Sequence, residues 1–293
     1  MKYTHKLIYI VLPLLLTSCI KEGYDKENCP GDYVIVPINP DKAEELEGAY
    51  TKIIDSNGNE HSIEAGSGNT VDLEDGNYTV VVVKDAEDDK IHLTGTTIGV
   101  TTQPDGTAND AGNPVGGYTE ITAGGNGSAG QDNIRFEVPT KHQSRPLILK
   151  VNFEGENTAF IQSVAGLVDG IALSRDLNHG FEPTDGQDRH PAITAGSIAY
   201  DLLPGEEDAN GYTGTHILLG IDGDGSQTLT ITVTYQGGIQ KTYTFDITRD
   251  MDGFHTEEVT TPWVIEVTLR LGADFQATIE DWQSGPESWM DAH

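Results

Sequence analysis

The sequence predicts an all-β protein with two sandwich domains. Short runs rich in threonine and valine recur between turn clusters, in a chain that contains 34 Gly and 13 Pro. Short strands separated by turn residues are typical of β-sandwiches and barrels. No long segment carries the apolar period of an amphipathic helix. The 293 residues exceed what one small core usually organises, which favours two domains.

The N-terminus has the layout of an export signal. Two lysines among the first residues supply positive charge, residues 7–16 form an apolar run, and the small residues Thr17 and Ser18 precede Cys19. The apolar run is too short to span a bilayer, which takes roughly 20 residues. Residues 1–18 are therefore expected to be a signal peptide.

The residues that close this segment, Leu16-Thr17-Ser18-Cys19, look like a bacterial lipobox. In a lipoprotein the sulfur of Cys19 receives a diacylglyceryl group, and cleavage after Ser18 frees an amine for acylation. Several acyl chains anchor a protein stably where one chain does not. We expect residues 19–30 to be a tether between lipid and fold. An ordinary cleaved signal followed by an incidental cysteine is the alternative.

The composition excludes some partners. Asp and Glu number 47 against 17 Lys and Arg, for a net charge of -30. Nucleic acids and anionic lipid headgroups are bound through Lys and Arg, so neither is an expected ligand of this surface. Lipidation of Cys19 would leave Cys29 alone, so no internal disulfide is expected.

Residues 31–139 are expected to form the first sandwich. Strands are predicted at 33–36 and 50–54, and an Asp-Gly turn at 75–76 begins a strand at 78–83. Because that strand is apolar on both faces, we place it in the centre of its sheet. A single strand is expected at 91–100.

The segment 101–133 is rich in Gly, Asn, Asp and Thr, which predicts a long exposed excursion with a short strand near 118–121. A strand at 133–138 closes the first domain. The polar segment 139–146 is bounded by prolines, and we place the domain boundary there.

Residues 145–283 are expected to form the second sandwich. Its strands are predicted at 147–153, 164–173, 193–203, 216–221, 263–271 and 275–279, with a bend or bulge where Gly166 and Gly170 interrupt the second of them. In the run 228–235 threonines alternate strictly with apolar residues, and after a Gln-Gly-Gly turn the strand at 243–247 repeats the alternation. Such period-2 patterns indicate one face on a core and one in water. Residues 284–293 are expected to be an irregular tail.

A search for catalytic or metal chemistry finds no constellation. A nucleophile elbow and a His-Glu-x-x-His motif are missing. The run Asp222-Gly223-Asp224 begins like a calcium loop but lacks the later ligands of an EF-hand, so we interpret it as a turn. The histidines have no ligand spacing. We therefore expect neither a metal nor a cofactor, and no enzyme activity.

Several motifs occur together along the chain: the lipobox with a charged spacer that ends at Cys29-Pro30, the turn and strand Leu73-x-Asp75-Gly76-x-Tyr78-x-Val80, Arg145-Pro146 at the start of the second domain, and Ile279-Glu280-Asp281-Trp282 near the end. Together they resemble the FimB-type fimbrial anchor and minor-subunit lipoproteins of Bacteroides-type bacteria. The resemblance implies two tandem transthyretin-like Greek-key β-sandwiches and tethering to the outer membrane through Cys19. It also implies a place in a fimbrium that is assembled by strand exchange, with a fimbrial subunit as partner.

Three functional classes follow. A fimbrial anchor or subunit would bind through main-chain hydrogen bonds, as an extended strand completes an open sheet edge. A surface glycan-binding lipoprotein is the alternative, and Trp282 and Trp289 are its candidate stacking residues. An enzyme ranks third, because the sequence offers no nucleophile with a base and an orienting group.

Overall fold

A computed structural model describes residues 31–38, 44–63, 70–85, 89–124, 134–155, 157–178, 192–205, 210–255 and 260–286. These residues form strands without an α-helix, and the predicted all-β class is confirmed. The strands are β1 (Gly31–Ile38), β2 (Tyr50–Asp55), β3 (Glu60–Ile63), β4 (Thr70–Leu73), β5 (Gly76–Lys84), β6 (Ile91–Thr94), β7 (Thr97–Val100), β8 (Val115–Ala123), β9 (Ile134–Pro139), β10 (Lys141–His142), β11 (Arg145–Gly155), β12 (Ile161–Asp176), β13 (Thr194–Pro204), β14 (Gly211–Leu218), β15 (Thr228–Tyr235), β16 (Gln240–Asp246), β17 (Trp263–Leu271) and β18 (Ala277–Pro286).

The N-terminal sandwich has a three-stranded sheet in the order β4-β1-β9 and a five-stranded sheet in the order β10-β8-β5-β2-β3. Buried side chains from both sheets, including Tyr33, Ile35, Ile53 and Val80, form one hydrophobic cluster. Strand β5 pairs with β2 on one side and β8 on the other. The predicted central position of this apolar strand is therefore confirmed.

The C-terminal sandwich is one sheet folded over on itself, in the order β16-β15-β12-β13-β14-β11-β17-β18. Strand β13 runs along β12 and then pairs with β14 only through Leu203 and Pro204. The halves on either side of this connection share a core to which Leu149, Ile231 and Ile265 contribute. Alternate residues point inward, as the period-2 pattern predicts.

The segment 91–100 is a hairpin, and the prediction of a single strand was wrong. Gly95 adopts a φ of +57° between β6 and β7, a left-handed conformation that glycine accepts without a steric cost. Residues 97–99 of β7 pair with residues 174–176 of β12. The hairpin thus extends the C-terminal sheet, although it precedes the predicted domain boundary at 139–146. That boundary stays a prediction.

The segment 115–123 is a nine-residue strand. The predicted exposed excursion at 101–133 is therefore interrupted by a strand longer than the short one expected near 118–121. Strand β8 pairs with β5 along its whole length. Its glycines serve close packing, because a Cβ on Gly116 would lie 2.8 Å from the main-chain oxygen of Val82, and one on Gly117 would collide with the main-chain oxygen of Pro139.

The polar segment 139–146 is largely buried, and several of its side chains make internal hydrogen bonds. Arg145 is fully buried and donates to the main-chain oxygens of Thr261 at 2.8 Å and Phe254 at 2.7 Å. Its guanidinium carbon lies 5.0 Å from the centre of the Trp263 ring, within the range of a cation-π interaction. Trp263 is buried, as its place in the apolar alternation of β17 predicts.

Strand β12 contains a bulge, and strand β18 is longer than predicted. The register of β12 against β13 shifts between Asp169 and Ile171, at Gly170 with a φ of +79°, so the predicted bulge is confirmed there. Strand β18 continues to Pro286, beyond the predicted last strand. Phe275, predicted to belong to that strand, lies in the preceding turn with a φ of +60°.

Candidate interaction edges

The predicted site residues fall in two groups. Ser18, Cys19 and Trp289 lie outside the described residues. Trp282 is half-buried on β18, where its indole Nε1 donates to the carboxylate of Asp250 at 2.8 Å and its ring lies 5.4 Å from that of Phe245. These contacts make Trp282 a packing residue between β16 and β18. Stacking of a glycan on Trp282 and Trp289 stays a prediction.

The described part of the chain also bears on metal sites and membrane spans. Across these residues, no group of three or more His, Cys, Asp or Glu side chains is placed to hold a metal ion. A helix with the length and apolarity to cross a membrane does not occur among them. At Asp222 the main-chain oxygen accepts from the N–H of Gly225 at 3.2 Å, which closes a turn.

A shallow groove of about 360 Å³ lies beside β2, β5 and β6, with Tyr50, Lys52, Lys84 and Ile91 in its wall. The ammonium of Lys52 is 2.8 Å from the carboxylate of Glu60. Its charge is therefore already balanced within the protein. The free sheet edges offer more extended surfaces for an interaction.

The chain itself covers one side of the C-terminal sandwich, where β13 and β14 diverge. Ala108 donates its main-chain N–H to the oxygen of Ser197 on β13 at 2.7 Å, and Ala111 donates to the oxygen of Ile217 on β14 at 2.8 Å. Both alanines are 1% exposed and belong to the core. Residues 108–111 thus occupy the space between two strand edges that would otherwise be open.

Asp110 holds this segment in place. One carboxylate oxygen accepts from the main-chain N–H of Ile217 at 3.0 Å and lies 3.3 Å from Nδ1 of His216, while the other accepts from the N–H of Gly112 at 2.9 Å. Partial burial alone would raise the pKa of Asp110. The hydrogen bonds from His216, Gly112 and Ile217 outweigh that burial, and the pKa of Asp110 lies below its ordinary value.

In the described residues, the opposite side of the sandwich, between β16 and β18, is closed by contacts of side chains. Tyr243 donates its hydroxyl hydrogen to the main-chain oxygen of Phe275 at 2.9 Å, and Phe245 packs on Trp282. Ile279 stands opposite the buried Leu269 and is nevertheless 52% exposed. Within the described residues, β16 pairs only with β15 and β18 only with β17. Each strand therefore keeps one edge free of a partner strand in that part of the chain.

Solved structures of a fimbrial anchor protein and of candidate adhesins share this fold. A fimbrial anchor protein, Mfa2 from Porphyromonas gingivalis, superposes with a TM-score of 0.58 at 10% identity, covering 88% of this chain and 98% of that one. A candidate adhesin from Bacteroides ovatus has a TM-score of 0.58 at 14% identity, covering 84% and 91%. A second from the same species has a TM-score of 0.55 at 11% identity, covering 89% and 94%.

These likenesses define the class of the fold: tandem β-sandwiches as found in a fimbrial anchor and in candidate adhesins. The fold that the sequence motifs implied is confirmed. No family model matches the sequence, and no curated protein matches it either.

Proposed function

We propose that the protein is an outer-membrane lipoprotein that anchors a fimbrium or forms one of its minor subunits. The supporting observation is the fold that it shares with a fimbrial anchor over 88% of its length. The predicted export signal and Cys19 are consistent with display at the cell surface on acyl chains. Residues 19–30 would then connect the lipid to β1 at Gly31.

The binding mode proposed is addition of an extended strand from a fimbrial subunit to an open sheet edge. Such a strand gains affinity from main-chain hydrogen bonds and specificity from alternate side chains that enter apolar grooves. The free edges of β16 and β18, with half-buried aromatic side chains between them, offer both features. This is a binding function that needs no catalytic group and no cofactor.

Deletion of the gene in the native bacterium tests the proposal. We expect fimbriae that are shed into the medium or altered in length, while growth on glycans is unchanged. A plasmid copy of the wild-type gene should restore attached fimbriae, and a copy with Cys19→Ala should not. Normal, cell-attached fimbriae in the deletion strain, together with a defect in glycan use, would contradict the proposal and favour the glycan-binding alternative.

A further inference from the structure

We propose that the partner strand adds to the outer edge of β16, residues 240–246. This inference rests on the proposed function, because it assumes that an extended segment of a fimbrial subunit is bound. It goes further by naming the edge and the sequence pattern that this edge accepts.

The other free edges in the described residues are short or blocked. Strands β3, β4 and β6 have four residues each and β10 has two. Strand β9 ends in Pro139 and carries the ion pair of Arg135 with Glu137. Strand β18 has ten residues, but its register breaks at a bulge, beside which Glu280 and Asp281 are exposed. Proline, charge and bulges are the devices by which proteins protect an edge from pairing.

Strand β16 contains no proline and no bulge, and its two charged residues, Lys241 and Asp246, lie near its ends. Its seven residues pair with β15 from Thr228 and Asp246 to Thr234 and Gln240 without a register shift. An unbroken edge of this length is the kind of template that another strand pairs with readily. The side between β13 and β14 is covered by residues 108–111, whereas in the described residues no segment covers β16 in the same way.

The alternation of hydrogen bonds along the hairpin indicates which main-chain groups of β16 face its outer edge. At one end of the hairpin Tyr235 donates to the oxygen of Ile239, and at the other Ile247 donates to the oxygen of Gln227. In an antiparallel ladder every second residue bonds to the partner strand. Counting by two between these ends, residues 241, 243 and 245 bond to β15. The N–H and C=O groups of Gln240, Thr242, Thr244 and Asp246 therefore point to the free edge.

The side chains of β16 define the partner's pattern. Lys241, Tyr243 and Phe245 share the inner face with Val233, Ile231 and Leu229, and both aromatic rings are half-buried. Thr242 and Thr244 lie on the outer face, in register with Thr232 and Thr230. An added strand should thus place two successive apolar residues beside the aromatic rings and small polar residues beside the threonines.

Two charged residues of β16 indicate which charges the partner strand should carry. Lys241 lies at one end of the inner row, and the exposed carboxylate of Asp246 ends the outer row. Opposite charges on neighbouring strands stabilise a pair, and like charges destabilise it. The matching segment should carry an acidic residue near Lys241 and a basic residue near Asp246. The partner strand for this edge is accordingly a segment of alternating apolar and hydroxyl residues with opposite charges at its ends.

A photo-reactive benzoylphenylalanine in place of Thr242 tests the edge in fimbriated cells of the native bacterium. Matched positions on other free edges are Thr278 on β18 and Glu60 on β3, both exposed. We expect the Thr242 position to cross-link to the fimbrial subunit of the same cells, and the two others not to. Cross-links to the subunit from Thr278 or Glu60 alone would overturn the assignment to β16 and leave the proposed function standing.

Two further outcomes are informative. Cross-links from Thr242 only to a second copy of this chain would overturn the inference, because the edge would then serve self-association. Absence of subunit cross-links at all three positions would also overturn it. Normal attachment of fimbriae after deletion of the gene would, by contrast, remove the proposed function itself.

A proline variant gives an independent readout. Thr244→Pro removes an N–H that points to the free edge and keeps the bonds to β15, a position where an edge strand tolerates proline. Thr244→Val keeps the N–H and is the control. Both variants should have unfolding midpoints close to that of the wild type. Cells with Thr244→Pro should retain fimbriae roughly 5- to 100-fold less well than cells with Thr244→Val, because one acceptor on the partner strand loses its hydrogen bond. Equal retention by the two variants would contradict the inference.

Discussion

The hydroxyl of Tyr243 on β16 donates to the main-chain oxygen of Phe275, 2.9 Å away, in the turn before β18. This bond crosses the side of the C-terminal sandwich on which both outermost strands have free edges. Burial raises the pKa of Tyr243 and outweighs the lowering effect of a hydrogen bond with the Tyr235 side chain, and the nearby carboxylate of Asp274 adds to the rise. The hydroxyl is therefore protonated and able to donate throughout the neutral range.

The first prediction concerns this bond. Tyr243→Phe keeps the ring against its neighbours and removes only the hydroxyl, so the main-chain oxygen of Phe275 loses its donor. We expect a loss of about 0.5 to 1.5 kcal/mol in the free energy of unfolding, the usual net value of one hydrogen bond. Urea denaturation of the two proteins measures it. A variant as stable as the wild type would mean that solvent replaces the bond.

The second prediction compares the two faces of β15. Ile231 is fully buried, whereas Thr230 is half-exposed on the opposite face, with its hydroxyl oxygen 3.2 Å from that of Thr244. Ile231→Ala should cost about 2 to 5 kcal/mol in unfolding free energy, as truncation of a buried isoleucine does. Thr230→Ala should stay within roughly 0.5 kcal/mol. Equal losses in a denaturation series would show that both faces are buried.

The third prediction concerns pH. The folded pKa of Asp110 is lowered, so its ionised form stabilises the fold above the unfolded pKa of roughly 3.9, and this contribution is lost as the pH falls through the lower folded value. Asp110→Asn removes it. The difference in unfolding free energy between wild type and variant should be largest above about pH 4 and shrink below.

Denaturation at a series of pH values measures that difference, and Asp72→Asn, at an exposed position on β4, is the control. A difference between wild type and Asp110→Asn that stays constant down to pH 2 would contradict the assignment to this carboxylate.

The same variant should expose residues 108–111 to faster hydrogen exchange, because Asp110 holds that segment against β14.

The fourth prediction concerns the lipid. Cys19→Ala removes the sulfur that would accept the diacylglyceryl group, and should move the protein from the membrane fraction to the soluble fraction. Labelled palmitate should enter the wild type and not the variant. Cys29→Ala is the matched control and should behave like the wild type. Equal labelling of wild type and Cys19→Ala would rule out the lipidation of Cys19.

The sequence predicted best where local pattern and tertiary environment agree. The hairpin of β15 and β16 follows from strict alternation, because one face of each strand packs on the core and the other meets solvent. The central position of β5 follows from its apolar residues on both faces. The buried Trp263 follows from its place in the alternation of β17.

The sequence-based predictions were wrong where a residue makes its important contact with a segment far along the chain. Gly116 and Gly117 suggest a loop, yet they allow β8 to approach the backbones of β5 and β9. Ala108 and Ala111 lie in a polar stretch without period, and their burial depends on the edges of β13 and β14, which lie far along the chain. Free edges are likewise a property of the assembled sheet. The pattern of β16 predicted a strand but not that its outer side lacks a partner strand in the described residues.

The most direct test of a fimbrial role is immunogold labelling of whole cells and of fimbriae sheared from them, with antibodies against this protein. We expect gold particles at defined points of the fimbriae, at one end for an anchor or at sparse sites for a minor subunit. The deletion strain is the control for antibody specificity. Gold spread over the cell surface with no relation to fimbriae, and none on the sheared fimbriae, would contradict a fimbrial role of the protein.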